Sequence, residues 1–240
     1  MQLRIHLIFT LGSMLLFINL TMAQSNPRSN EGMIWIEAIE NVKFNDRFSS
    51  TLLWHHRIFL DREQTYQNIY WASLNAKISK NFSVSGGLIY FRYHKYSYDK
   101  YLAVPEVRPF QSITYSTVLG KVKTSFRFMV EERYMSQTKN GEVMNDHDFN
   151  FRFRNRFKAI IPLISSVKLE LSNEYIINGA NMDVDRFNQN RASARIHYYL
   201  KALSLDVNAG YLHWLVNTTK EMQHRHSLMV GIKHQINFMR

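Results

Sequence analysis

The chain contains no cysteine and few residues that interrupt regular structure: four prolines and nine glycines among 240 residues. Without cysteine there is neither a disulfide framework nor a thiolate metal site, so closure of the fold must come from its own secondary structure. No Pro-, Gly- or Ser-rich stretch divides the chain, which leaves one domain of a size suited to an all-β barrel. After the first 23 residues no apolar run reaches the ~20 residues of a membrane helix, so any membrane crossing must be made by strands. Acidic residues are scarce as well: 19 Asp and Glu stand against 30 Lys and Arg, a formal net charge of +11.

The amino terminus is the exception to the lack of apolar runs. Arg4 precedes Leu7-Ile8-Phe9-Thr10-Leu11 and Met14-Leu15-Leu16-Phe17-Ile18, and Thr21-Met22-Ala23 follows. This order predicts a secretory signal peptide over residues 1–23, cleaved after Ala23, and a barrel domain over 24–240. A strongly basic chain ordinarily points to nucleic acid. Export removes that partner and leaves lipid A phosphates, acidic glycans and small anions.

What the sequence does contain is alternation. In Phe151-Arg152-Phe153-Arg154-Asn155-Arg156-Phe157-Lys158, a strand sends Phe151, Phe153 and Phe157 to one side and Arg152, Arg154, Arg156 and Lys158 to the other. A soluble sheet buries neither row easily, whereas a membrane barrel offers lipid outside and a polar lumen inside. The same division recurs in later segments. Val122, Phe126, Phe128, Val130 and Tyr134 oppose Lys123, Arg127, Glu131 and Arg133, and Leu169, Leu171 and Tyr175 oppose Lys168, Glu170 and Glu174. Ile196 and Tyr198 oppose Arg191, Arg195 and His197. Leu228, Val230, Ile232, Ile236 and Phe238 oppose Arg225, Ser227 and Lys233, and His234 falls unexplained in the apolar set. Segments carrying Trp54, Trp71 and Tyr90 divide less cleanly.

Turn signals at Asn45-Asp46, Lys80-Asn81, Gly120-Lys121, Pro162 to Ser166 and Lys201-Ala202 alternate with longer polar connections. The longer ones are Asp61 to Thr65, Lys95 to Val104, Ser136 to Asn145, Asn178 to Asp185 and Asn217 to Gln223. Short and long connections in turn predict an all-β, antiparallel, up-and-down transmembrane barrel. The strands are expected near 33–43, 47–60, 66–79, 82–94, 106–119, 121–135, 147–161, 166–177, 187–200, 203–215 and 225–238. Eleven is an odd count where single-chain bacterial barrels usually have even ones, so the expectation is about ten to twelve strands, with one segment miscounted.

Several runs then carry a likeness. They are Glu106-Val107-Arg108-Pro109-Phe110-Gln111, Phe126-Arg127-Phe128 with Glu131-Glu132-Arg133, and Phe151-Arg152-Phe153-Arg154-Asn155-Arg156 leading to Ile161-Pro162-Leu163. Glu174-Tyr175, Phe187-Asn188-Gln189-Asn190-Arg191 and Ala209-Gly210-Tyr211 follow in order. With these landmarks the chain resembles the outer-membrane β-barrel proteins of Gram-negative bacteria grouped as domain of unknown function 2490. The resemblance implies residence in the outer membrane and no particular activity. The carboxyl-terminal strand resembles the insertion signal of barrel proteins, here with Phe238 followed by Met239-Arg240, which implies handling by the barrel assembly machinery.

The candidate functional residues are the charges expected in the lumen: Glu106, Arg108, Arg127, Glu131, Arg133, Arg152, Arg154, Arg156, Glu170, Glu174, Arg191, Arg195 and Asp206. One role is structural, with Arg and Glu rows pairing across a narrow interior. The other is a permeation path in which basic rings attract anions. Among the ten histidines, adjacent His55 and His56 point to opposite faces of a strand, and His224 and His226, which share one, are too few to hold a metal. No Ser–His spacing singles out a nucleophile. No catalytic site, metal or cofactor is expected. The abundant aromatics are expected in interfacial girdles, Tyr93 among them, while Tyr96, Tyr98 and Tyr101 with Lys95 and Lys100 are open to glycan contact. The reading is a monomeric outer-membrane barrel in contact with outer-membrane lipid or lipopolysaccharide, structural or permeation-related. The alternatives are an outer-membrane lipid hydrolase and a soluble periplasmic lipocalin-like binder, the latter opposed by its outward apolar rows.

Overall fold

The computed structural model of the protein describes residues 27–61, 63–97, 100–179, 187–218 and 221–238. The expected signal peptide lies outside the described residues, as do Tyr98 and most of the Asn178 to Asp185 connection. The strands are β1 (Pro27–Lys43), β2 (Phe48–Phe59), β3 (Gln64–Lys77), β4 (Phe82–Ser97), β5 (Lys100–Leu119) and β6 (Val122–Lys139). They continue with β7 (Glu142–Ile164), β8 (Val167–Asn178), β9 (Phe187–Leu200), β10 (Leu205–Asn217) and β11 (Met222–Asn237). Each pairs with its sequence neighbours in antiparallel fashion, and β1 pairs with β11 to close the barrel.

That closure corrects the expectation of an even count. Antiparallel neighbours reverse direction at every step, so the first and eleventh strands run the same way and can join only as a parallel pair. They do so over almost all of β1, from Ser29 opposite Gln223 to Lys43 opposite Asn237. None of the eleven expected segments lies outside the barrel.

The turns follow from local chemistry. Asn45 Oδ1 accepts from the backbone N–H of Arg47 at 2.9 Å and Phe48 at 2.7 Å, an Asx turn between β1 and β2. Asn140 and Gly141, both at positive φ, form the two-residue connection between β6 and β7. The connections expected over 95–104 and 136–145 are therefore largely strand. Over Ser136 to Lys139 and Asn145 to Asp148 both faces carry polar residues, so the alternation fades there while backbone pairing continues. We call the end carrying connections 44–47, 78–81, 120–121, 165–166 and 201–204 the turn end, and the opposite end the loop end.

Gly87 marks a point where the wall leaves no room for a side chain. A Cβ there would stand 2.1 Å from the Ala72 carbonyl oxygen across the β3–β4 pair. Backbone on both sides must shift to admit even a methyl group, so Gly87→Ala should destabilise the barrel by about 1–3 kcal/mol. A lower denaturant midpoint for this variant, against little change for the outward Ala72→Gly, checks it.

The interior is not uniformly polar. Near the loop end Met33, Trp35, Phe59, Leu212, Trp214, Val216 and Met229 form one buried cluster with Tyr66 packed on it. Ile69, Ile89, Phe91, Phe110 and Met129 form a second, with Trp71 and Tyr93.

Candidate functional site

The site is the lumen between and below these clusters. Alternation on β7 aims Arg152, Arg154, Arg156 and Lys158 inward, while β5, β6, β8 and β9 supply their partners through register. Arg127 stands opposite Arg156, and Glu131 opposite Arg152. Glu174 stands opposite both Arg156 and Arg191.

A continuous ion-pair chain results. Glu106 accepts from Arg108 Nε at 2.7 Å and from Arg133 Nε, and Arg108 Nη1 reaches Glu131 at 3.2 Å. Glu131 also accepts from Arg154 Nη1 at 2.5 Å, and Arg154 Nη2 donates to Glu174 at 2.6 Å. Glu174 receives Arg127 at 2.7 Å and lies 3.6 Å from Arg191. Arg195 is held apart from this chain by Glu37 at 2.7 Å. Glu170 pairs with Lys158 at 3.3 Å, and Asp206 with His197 at 2.7 Å. Apart from Asp206, whose partner is an imidazole, the carboxylates of these pairs face cations in a low-dielectric setting where charge-assisted hydrogen bonds are strong.

All thirteen charges singled out in the sequence project into the interior, yet they do not behave alike. Among the described residues, Arg152 and Arg156 have no carboxylate within ion-pair distance, although Arg152 is only 5 % exposed and its Nε is buried without a hydrogen-bond partner.

Sequence reasoning missed Glu37 and Arg57, while Lys233 stood in the polar row of the last strand without being counted among the candidates. Arg57 is buried, stacks 3.6 Å above the Trp35 ring and donates to Gln67 at 2.6 Å. The first strands carry apolar residues on both faces, so period two gave no clear signal there. Tyr93 is a correction: it points inward, where Arg108 Nη2 donates to its hydroxyl, and it belongs to no outer girdle. Tyr101 and Tyr96 do pack together, with the Tyr101 hydroxyl donating to the Thr65 carbonyl at 2.7 Å.

The histidines separate by face. His55 bonds Glu37 inside, while His56 bonds Asn68 outside. His213, His224 and His226 gather on the outer wall, His213 lying 3.0 Å from His224. Among the described residues no group of three or more His, Cys, Asp or Glu is arranged to hold a metal ion. His234, out of place in an apolar row, pairs at 2.8 Å with outward-facing Glu40 across the β1–β11 seam.

The lumen is closed at one end. At the loop end Phe59, Gln67, Val104, Ser136, Asn178, Gln189 and Val216 are all buried. At the turn end the inward positions are small or polar, such as Ser49, Asn75, Ser85 and Thr114, and all remain partly accessible, while Lys233 is exposed. Between them lies a cavity of about 390 Å³.

No curated protein and no solved structure matches the chain. The family model described as "Protein of unknown function (DUF2490)" matches residues 32–225, and the chain belongs to that family.

Proposed function

We propose that the protein is a monomeric outer-membrane β-barrel with a structural role, non-enzymatic, its lumen sealed on the loop side and open toward the periplasm. The observation that carries this reading is the pairing of an apolar outer wall with a charged interior around one closed sheet. Phe126, Phe128, Leu171, Ile196, Leu228 and Ile232 stand exposed on the outside, while Glu106, Glu131, Arg108 and Arg152 are buried within. On β6 the outward row from Val122 to Tyr134 covers roughly 40 Å of strand, or ~28 Å along the normal at a 45° tilt, enough for a barrel's apolar band. Aromatic pairs mark its two levels: Phe44–Phe238 and Phe82–Tyr115 near the turn end, Tyr134–Phe149 toward the loop end. Such a wall supports contact with lipid or lipopolysaccharide, and insertion through the barrel assembly machinery.

Purified protein reconstituted into planar bilayers should show no conductance steps, because the loop-end cluster blocks the lumen. Stable open steps in the unmodified protein would overturn the sealed-lumen reading.

A further inference from the structure

The lumen is built with more cation than its own carboxylates neutralise. Ten Arg and Lys side chains line the cavity against three Glu. Six of the ten are paired: Arg108, Arg127, Arg154 and Arg191 within the Glu131–Glu174 chain, Lys158 with Glu170 and Arg195 with Glu37. Arg57, Arg152, Arg156 and Lys233 also line it, and none of them has an ion-pair partner among the described residues. Two of these are deep. Arg57 is 3 % and Arg152 5 % exposed, and the Nε of each is buried with no hydrogen-bond partner. A guanidinium keeps its charge in a protein, and a buried charge without a counter-charge is strongly unfavourable. The remaining two, Arg156 and Lys233, stand on the way in from the turn end, where Lys233 is exposed.

We propose that this cavity is a binding site for a small free polyanion of the phosphate or carboxylate class. The anion enters at the turn end past Lys233 and Arg156, and the deeper guanidinium groups of Arg152 and Arg57 supply planar forks that match a phosphate or carboxylate edge. Arg154, whose Nη1 and Nη2 are held by Glu131 and Glu174, sits between Arg152 and Arg156 and keeps the row extended. The cavity suits a compact ion rather than a polymer, and a barrel sealed at the loop end makes the site a receptor rather than a pore. The inference requires the barrel and its cavity but not its membrane location.

The test is calorimetric titration of the refolded mature barrel in detergent with inorganic phosphate, pyrophosphate and citrate, in low-chloride buffer. A shift of gel mobility on heating first establishes that each sample is folded. Saturable binding of at least one anion, weakened roughly tenfold or more by Arg152→Gln and also by Lys233→Gln, is expected from the loss of a charge-assisted contact. Lys233 lies at the mouth, so its variant keeps the test valid if Arg152→Gln does not fold. No binding by folded protein would overturn the proposal. Binding indifferent to both substitutions would do the same, as would displacement of pyrophosphate by micellar phosphatidic acid, since either places the anion on the outer wall.

Discussion

Glu131→Gln should lower the stability of the folded barrel by about 3–5 kcal/mol, the range for breaking a buried ion pair from one side. Glu131 is 0 % exposed and joins Arg108 to Arg154. Its amide replacement keeps the shape but presents a neutral carbonyl and an N–H₂ group to two guanidinium groups. Arg108 retains Glu106 and Arg154 retains Glu174, so the network is cut rather than erased. The adjacent Glu132 points outward, where Gln111 Nε2 donates to it at 3.5 Å, so Glu132→Gln should change stability by no more than ~0.5 kcal/mol. Denaturant midpoints in lipid vesicles, followed by tryptophan fluorescence, measure both. Equal shifts would contradict the facing assigned to β6.

Trp214→Ala should cost about 3–5 kcal/mol and also open the loop end. Trp214 is 1 % exposed, meets Trp35 edge-on at 5.4 Å and donates from Nε1 to Gln189 at 3.1 Å. Arg191 and Arg225 stand 4.8 and 4.9 Å from its ring, so the indole both fills the lumen and shields cations from one another. Removing it connects the turn-end cavity to the far mouth. Conductance steps, absent from the parent protein, should appear in planar bilayers with a preference for anions. A destabilised variant that stays silent would place the seal elsewhere in the cluster.

β7 and the first four strands differ in how far their facing could be read from their residues. On β7 the outward Phe151, Phe153 and Phe157 and the inward Arg152, Arg154 and Arg156 have opposite chemistry, so period two fixed their facing. On β1 to β4 the interior holds Trp35, Ile69, Ile89 and Phe91, as apolar as the outside, and the same period lost its meaning. Tyr93 was placed in a girdle for that reason: a tyrosine suits an interface as well as it suits a guanidinium partner in the lumen. Strand number was legible from turn residues, but the parallel β1–β11 seam joins the two most distant strands and leaves no local mark. Individual charges could be assigned to the lumen, yet the distinction between engaged Arg154 and unengaged Arg152 depends on cross-strand register, which only the fold supplies.

The central claim is that an apolar wall around a charged, packed lumen makes this chain a membrane-spanning barrel. Fractionation of cells expressing the full chain, with the mature protein then run on gels with and without heating, tests it most directly. The account predicts recovery in the outer-membrane fraction and faster migration of the unheated form. A soluble periplasmic product whose migration is unchanged by heating would contradict it.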